Sequence, residues 1–297
     1  MSFFTTCRTL NFRLFSFYVG ILLSIPALTI AIEYLIARDP SFRQALMVNL
    51  QDFHVYQLFT SSFVHENFDH FLGNVSAYLL IIVYGFVLSV ILNRTKLYLV
   101  LTKVIVVVFL VFGAVFTLFT LTTSYYAGLS GIDAALAGLL LIFWLMYIEQ
   151  ESGRGMHNYH GIALAVVILL FMGIIGRYLL LFRGANAPVL LSLLAAFFGI
   201  LVLCVLLFRK HFKDLYSDMK GFGWSSRFLS VGIVLIFWYF IWNIFPERLA
   251  NSARAVSISL HLGAIVLGIL AGYFCMVWLR KISYFHDETG LFSGPGP

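Results

Sequence analysis

Charged residues are scarce in this chain of 297 residues: Asp, Glu, Lys and Arg make up 11% of it, whereas hydrophobic residues make up 61%. A soluble protein of this length could not bury so much apolar surface, so the composition excludes an ordinary water-soluble fold and predicts a polytopic membrane protein. Cysteine is scarce too. Cys7, Cys204 and Cys275 lie far apart, without the spacing of a metal site or a disulfide framework.

Eight apolar runs are long enough to cross a bilayer, at about 20 residues per helix. They lie near 13–37, 68–92, 97–120, 130–148, 161–182, 188–208, 227–245 and 255–279. The first is too long for a cleavable signal peptide. The connection from Arg38 to Asn67 is semi-polar and favours an amphipathic segment lying in the membrane surface. The sequence therefore predicts an all-α transmembrane helical bundle, with residues 1–297 forming a single integral membrane domain in the lipid bilayer.

Lys and Arg residues predict the orientation of these spans. With the N-terminus inside, six cations lie in outer segments, leaving 13 of the 19 inside; the outer ones are Arg38, Arg43, Arg177, Arg183, Arg248 and Arg254. Because cations favour the cytoplasmic side, both termini are expected in the cytoplasm. The loop from Arg209 to Arg227 carries most weight in this assignment. No basic patch is interleaved with aromatic residues, which argues against a nucleic-acid partner.

Ser130 stands between glycines where a short polar segment turns into an apolar helix. Gly128 allows a close backbone approach and a positive φ, and the first turn of a helix offers unpaired N–H groups that can bind an oxyanion. A nucleophilic serine needs both. Taken alone, the motif is better explained by a helix N-cap serine followed by a small-residue packing face.

Other polar residues fall within the predicted spans, where they are costly and point to function. His65, His70 and Asn74 lie at the start of the second span, and His70 and Asn74 share one helical face because they are four residues apart. His261 lies about two turns into the eighth span. Because the second, fourth and eighth spans all run inward, these residues and Ser130 are expected in one layer, a little below the outer surface.

A serine in this layer becomes a nucleophile when a neutral imidazole lies within hydrogen-bond reach. His261 is the candidate base, although a lone membrane histidine is more often a packing residue. The Ser130 backbone N–H, the Asn74 amide and the His70 ring are candidate donors to a developing oxyanion. Asp133 lies three residues after Ser130. It is a possible orienting acid for His261, but a structural pairing with a cation or a hydroxyl is favoured.

Together these motifs resemble the rhomboid family of intramembrane serine proteases. The matching elements are Gly128-Leu129-Ser130-Gly131, His65 with His70 and Asn74, and His261 with Gly268. The resemblance implies a rhomboid-like core of 13–148 and 255–279, with extra helices within 161–245. It also implies a Ser130–His261 dyad, an oxyanion hole that includes Asn74 and His70, with Gly128 and His65 in support, and cleavage of single-pass or polytopic membrane protein substrates near the outer end of a transmembrane helix. It implies no metal and no cofactor.

The chain departs from the family pattern in several places. Three predicted spans, instead of one, separate the serine and histidine helices. Because three is also an odd number, the two helices still cross the membrane in the same direction. Ala134 replaces a bulky aromatic residue, Ala264 replaces a glycine, and Gln57 replaces the arginine of the outer loop.

Two other functions stay open. A non-catalytic relative that binds membrane helices for quality control or trafficking would normally lack the serine or the histidine. A transporter is disfavoured, since no repeat and no interrupted helix pair is evident. The expectation is a multi-pass serine protease of a prokaryotic plasma membrane.

Overall fold

The computed structural model describes residues 12–49, 51–65, 67–120, 125–126, 128–153, 160–181, 187–244 and 258–278. Within these ranges the chain is built almost entirely of helices. They are α1 (Phe12–Arg38), α2 (Ser41–Leu46), α3 (Gln57–Thr60), α4 (Phe68–Ile91), α5 (Thr95–Thr120), α6 (Ser130–Ser152), α7 (His160–Leu181), α8 (Ala187–Leu207), α9 (Arg209–Gly221), α10 (Trp224–Ile244) and α11 (Ile258–Trp278). A 3-10 turn covers Ser61–Phe63. Two short strands, β1 (Val48–Asn49) and β2 (Tyr125–Tyr126), pair antiparallel.

The predicted all-α fold is confirmed, and a long helix occupies each of the eight predicted apolar runs. Five of these helices contain a stretch long and apolar enough to cross a membrane, judged by length and composition. These stretches are Ser16–Arg38, Phe68–Ile91, Ser130–Ser152, Pro188–Leu207 and Trp224–Trp242. Shorter apolar stretches, Leu164–Arg177 and Gly263–Phe274, lie in α7 and α11. Both chain termini and the predicted span ends at 182, 245, 255–257 and 279 lie outside the described residues.

The segment 209–227, interpreted from its charges as a loop, is mostly helical. Helix α9 covers Arg209–Gly221. Its apolar residues Phe212, Leu215 and Met219 recur three and four positions apart, which places them on one face of a helix. The connection between the two predicted spans therefore consists largely of an amphipathic helix.

Where the sequence predicts one domain, the contacts divide the chain into two compact units. The first comprises Met1–Phe143 and Asn251–Pro297, and the second comprises Trp144–Ala250. The boundary falls within α6. The predicted core elements, apart from 144–148, belong to the first unit, the extra helices within 161–245 belong to the second, and every candidate site residue lies in the first.

In the first unit, two tyrosine hydroxyls form hydrogen bonds between neighbouring helices. The Tyr78 hydroxyl on α4 donates to the Leu22 carbonyl of α1 at 3.0 Å, and the Tyr98 hydroxyl on α5 donates to the Ile82 carbonyl of α4 at 3.2 Å.

Every residue from Gly128 to Ile148 is buried. This fits the sequence of α6, which is apolar around its whole circumference rather than along one stripe.

In the second unit, α7 and α8 pack through Ala165, Ile168 and Cys204. The Cys204 thiol is buried and donates to the Gly161 carbonyl at 3.3 Å, so it acts as a packing residue. Arg177, counted above among the outer-segment cations, is instead buried in α7. Its guanidinium donates to the Ile241 carbonyl at 2.5 Å and lies 5.1 Å from the Trp242 ring centroid. A backbone acceptor and an aromatic face therefore satisfy this charge inside the unit.

Candidate active site

Ser130 begins α6 and is buried, two residues after a glycine whose backbone only glycine readily adopts. Gly128 has φ +123°, and its N–H donates to the Ser61 carbonyl at 2.9 Å. A Cβ at Gly128 would lie 3.2 Å from Cε1 of His70 and 3.5 Å from Nδ2 of Asn74. The backbone just before Ser130 therefore passes directly against the His70–Asn74 pair, in the way that the sequence predicts for a close approach.

His70 and Asn74 occupy the first two turns of α4. The Asn67 side chain caps this helix by accepting from the His70 backbone N–H at 2.8 Å, which fixes where the helix begins. Asn74 Nδ2 lies 3.2 Å from His70 Nε2. A carboxamide nitrogen carries two N–H groups, so a bond to His70 leaves the second N–H of Asn74 to donate elsewhere.

His65 links this pair to the first helix. Its ring is fully buried and meets the His70 ring edge-on, with the centroids 5.4 Å apart. The His65 backbone N–H donates to Glu33 Oε1 at 2.6 Å, and Nδ1 of the ring lies 3.3 Å from the same oxygen. The other Glu33 oxygen lies 3.6 Å from Arg43. Polar contacts therefore run from partly exposed Arg43 through Glu33 to His65, and a ring contact joins His65 to the pair beside Gly128.

His261 is brought to the level of Ser130 by the packing of α6 on α11. Gly268 lies against the Ala135 backbone, Gly138 lies against the backbone around Gly268, and Gly272 lies against Ile142, where an added Cβ would be 3.0 Å from the side chain. The numbering rises together on both helices, so they are parallel. Two of these pairs, Gly138 with Gly268 and Ile142 with Gly272, are offset by 130 residues. The same offset places Ser130 beside position 260, one residue from His261.

His261 is buried and lies close enough to His70 for charges on the two rings to interact. Among the described residues no hydrogen bond joins the Ser130 hydroxyl to the His261 ring. Catalytic hydrogen bonds of this kind often tighten only when substrate is bound. The structure thus gathers Ser130, His70, Asn74, His65 and His261 in the first unit, without a hydrogen bond between Ser130 and His261 among the described residues.

Asp133 is fully buried but is not bonded to His261. Neither of its carboxylate oxygens forms a hydrogen bond with a described residue. Asp133 lies close enough to Tyr78 on α4 for a charge on its carboxylate to act on the Tyr78 hydroxyl. The cation or hydroxyl partner that the sequence favoured is not found among the described hydrogen bonds either.

The connection between α1 and α4 approaches the start of α6 through the β1–β2 pair, in which Val48 faces Tyr126 and Asn49 faces Tyr125. Gln57 organises this connection. Its side-chain oxygen accepts from the N–H groups of Asn49 at 3.3 Å and His54 at 3.1 Å, and its nitrogen donates to the Ala45 carbonyl at 3.2 Å. Buried Gln57 therefore fixes the backbone of a segment that precedes the candidate site in the chain.

The sequence analysis assigns neither Glu33 nor Gln57 to the site, and treats Gln57 only as a departure from the family pattern. A carboxylate inside an apolar run is a usable signal for Glu33, because such a charge needs a partner. Nothing in the sequence marks Gln57, whose three partners are all backbone groups.

No group of three or more His, Cys, Asp or Glu side chains among the described residues is arranged to hold a metal ion. Comparison of the chain with protein-family models, with curated proteins and with solved structures finds no match, so its function has to be argued from the geometry of the site itself.

Proposed function

We propose that this protein is an intramembrane serine protease of the rhomboid type, with Ser130 as the nucleophile and His261 as the general base and acid. One observation carries the proposal: the 130-residue offset of the parallel helices α6 and α11 brings His261 to the level of Ser130, beside the His70–Asn74 pair that touches Gly128. A packing role for a single histidine would not require these separate helices to meet at a glycine-flanked serine.

The reaction would proceed in two stages. The Ser130 hydroxyl oxygen attacks the carbonyl carbon of the scissile peptide bond while its proton passes to His261. The C–N bond then breaks as His261 returns that proton to the leaving amine. Water, with His261 again as base, hydrolyses the acyl-Ser130 ester and restores the serine hydroxyl.

The developing oxyanion needs donors that are already in place. The second N–H of the Asn74 amide and the backbone N–H of Ser130, at the beginning of α6, supply them in this proposal. His70 holds the Asn74 amide from one side at 3.2 Å. The His65 ring, which is itself bound by Glu33, contacts the His70 ring edge-on.

In this proposal all eight long helices cross the membrane of a prokaryotic cell. Both termini lie in the cytoplasm, and the site lies near the outer face. Substrates would be single-pass or polytopic membrane proteins cut near the outer end of a transmembrane helix. Since a peptide bond inside a helix is protected, small or helix-breaking residues are expected near the cut. Helices α7, α8 and α10 separate α6 from α11, and this odd number of spans lets the serine and histidine helices run in the same direction.

The test is labelling of the detergent-purified protein by a serine-reactive fluorophosphonate. Labelling is expected for the wild type and for Ser89→Ala, a buried α4 serine bonded to the Phe86 carbonyl and away from the site. It should be lost in Ser130→Ala and in His261→Ala. If the folded wild type is not labelled, the proposal fails and a non-catalytic protein that binds membrane helices takes its place.

A further inference from the structure

The exposed face of α9 carries a row of cations. Arg209, Lys213, Tyr216 and Lys220 are spaced by four, three and four residues, so they lie along one side of the helix, and all four are exposed. Lys220 lies 4.4 Å from the centre of the Tyr216 ring. We call Arg209, Lys213 and Lys220 the cationic row.

The chain holds this row at a membrane boundary. Arg209 comes two residues after Leu207, the last residue of the apolar stretch Pro188–Leu207, and the Leu207 side chain is 71% exposed. At its other end α9 is followed within three residues by Trp224, which begins the next apolar stretch and is 83% exposed. A helix tied at both ends to membrane-spanning helices lies at the level where hydrocarbon meets headgroups, the level that exposed tryptophan prefers.

A neighbouring face of α9, about a quarter turn from the cationic row, packs on the protein. Phe212 packs against the cluster formed by Ala165, Ile168 and Cys204. Arg227, from the start of α10, donates to the Met219 carbonyl at 3.2 Å and to the Lys220 carbonyl at 2.6 Å. These contacts attach one face and the C-terminal end of α9 to its neighbours, and leave the cationic row exposed.

The cations on the exposed face have no carboxylate partner in the described part of the unit. Among the described residues no carboxylate forms an ion pair with Arg209, Lys213 or Lys220. The acidic residues of α9, Asp214 and Asp218, are half-buried on the other side of the helix. The row therefore presents three positive charges to the headgroup layer, spaced along the helix axis by about 6 Å between Arg209 and Lys213 and by about 10 Å between Lys213 and Lys220.

We propose that the cationic row binds the phosphate groups of anionic phospholipids at the membrane surface. Charge complementarity and depth support this partner: clusters of Lys and Arg next to a transmembrane helix attract anionic lipid headgroups, and the exposed Tyr216 and Trp224 suit the same layer. The proposal does not depend on Ser130 or on catalysis, so failure of one leaves the other standing.

The experiment uses the full-length protein in mixed micelles and measures quenching of tryptophan fluorescence by brominated phosphatidylglycerol or brominated phosphatidylcholine. Trp224, next to α9, is the reporter, and Trp224→Phe identifies its share of the signal. We expect half-maximal quenching at a much lower mole fraction of the anionic lipid than of the neutral one. The triple variant Arg209→Gln/Lys213→Gln/Lys220→Gln should lose on the order of 100-fold in affinity for phosphatidylglycerol, and Lys213→Gln alone about 5-fold.

A charge-keeping variant, Arg209→Lys/Lys213→Arg/Lys220→Arg, is the matched control and should keep the wild-type preference. Equal quenching by the two lipids in the wild type would overturn the proposal, as would an unchanged preference in the triple variant. Inorganic phosphate is compared with chloride at the same ionic strength. If phosphate alone displaces the lipid, the row binds free phosphate and the lipid proposal is wrong.

Discussion

The backbone N–H of His65 donates to the carboxylate of Glu33 at 2.6 Å, across 32 residues of the chain. The same oxygen lies 3.3 Å from the His65 ring nitrogen Nδ1. Glu33 therefore binds both the backbone and the ring of a fully buried histidine whose edge contacts His70. This makes the first helix part of the support for the Asn74 amide, which is the donor proposed for the oxyanion.

Replacing Glu33 with Ala should slow fluorophosphonate labelling of Ser130 by on the order of 10-fold to 100-fold, the size of effect expected when supporting groups shift by up to about 1 Å. It should also lower the free energy of unfolding by about 1–3 kcal/mol, since a buried N–H loses its acceptor. Labelling rates and thermal unfolding in detergent measure the two effects.

Glu33→Gln separates positioning from charge because its amide oxygen can still accept from the His65 N–H. We expect it to keep most of the labelling rate that Glu33→Ala loses. Arg43→Gln is the second control: the Arg43–Glu33 pair is partly exposed at 3.6 Å and should contribute only about 0–1 kcal/mol. Wild-type labelling by Glu33→Ala would rule out the supporting role.

Gln57 offers a second prediction, on the connection that leads to the site. Gln57→Ala removes three hydrogen bonds to backbone groups, each worth about 1 kcal/mol. Local opening of this segment should increase, which limited trypsin digestion would report as faster cleavage after Arg43. Gln51→Ala, an exposed glutamine of the same connection, should leave the cleavage rate unchanged. Equal rates for the two variants would contradict the role given to Gln57.

Gly128 and Gly153 form a matched pair for the glycine before the nucleophile. Both have a positive φ, of +123° and +67°, but a Cβ at Gly153 meets nothing within 4 Å, whereas one at Gly128 would lie only 3.2 Å from Cε1 of His70. Gly153→Ala should cost about 1–2 kcal/mol of stability from backbone strain and leave labelling intact. Gly128→Ala should abolish labelling of Ser130 while the helices remain folded by circular dichroism. Normal labelling of Gly128→Ala would show that the close approach to His70 is dispensable.

The helices and most of the clustered site residues were predictable because both follow from the cost of polar groups in a bilayer. That cost makes each long helix visible as an apolar run, and it makes His70, Asn74 and His261 conspicuous within such runs. The register of α6 against α11 was not predictable in detail. It depends on where Gly138 and Gly268 let two backbones touch, which is a property of the packed pair.

Contacts with residues distant in the chain were not predictable. The acceptor of Arg177, the Ile241 carbonyl, lies 64 residues away. The amphipathic pattern of α9 is visible in its sequence, but the packing of Phe212 on α7 and α8 is a tertiary contact that this pattern does not contain.

The contact of Gly268 with the Ala135 backbone gives the fourth prediction. A Cβ at Gly268 would collide with this backbone, so Gly268→Ala must push α6 and α11 apart. We expect a loss of about 1–3 kcal/mol in stability from overpacking. Because Ser130 and His261 sit on these two helices, labelling should fall as well. Gly263→Ala on the same helix meets open space and should leave both quantities near their wild-type values. Equal behaviour of the two variants would mean that the helices do not touch at Gly268.

Asp133 distinguishes a dyad from a triad. If it oriented His261, Asp133→Asn would lower the rate by a factor of roughly 10⁴, as loss of the acid does in a serine protease triad. Its carboxylate is buried without a hydrogen bond to His261 or to any other described residue, and Tyr78 is its electrostatic neighbour. We therefore expect Asp133→Asn to label at close to the wild-type rate. Its stability should be equal or higher, because burying a carboxyl without a hydrogen-bond partner is costly. A large loss of labelling by a variant that unfolds at the wild-type temperature would instead assign Asp133 to the catalytic machinery, and Asp133→Glu, which keeps the carboxylate, would then be the variant to test for partial rescue.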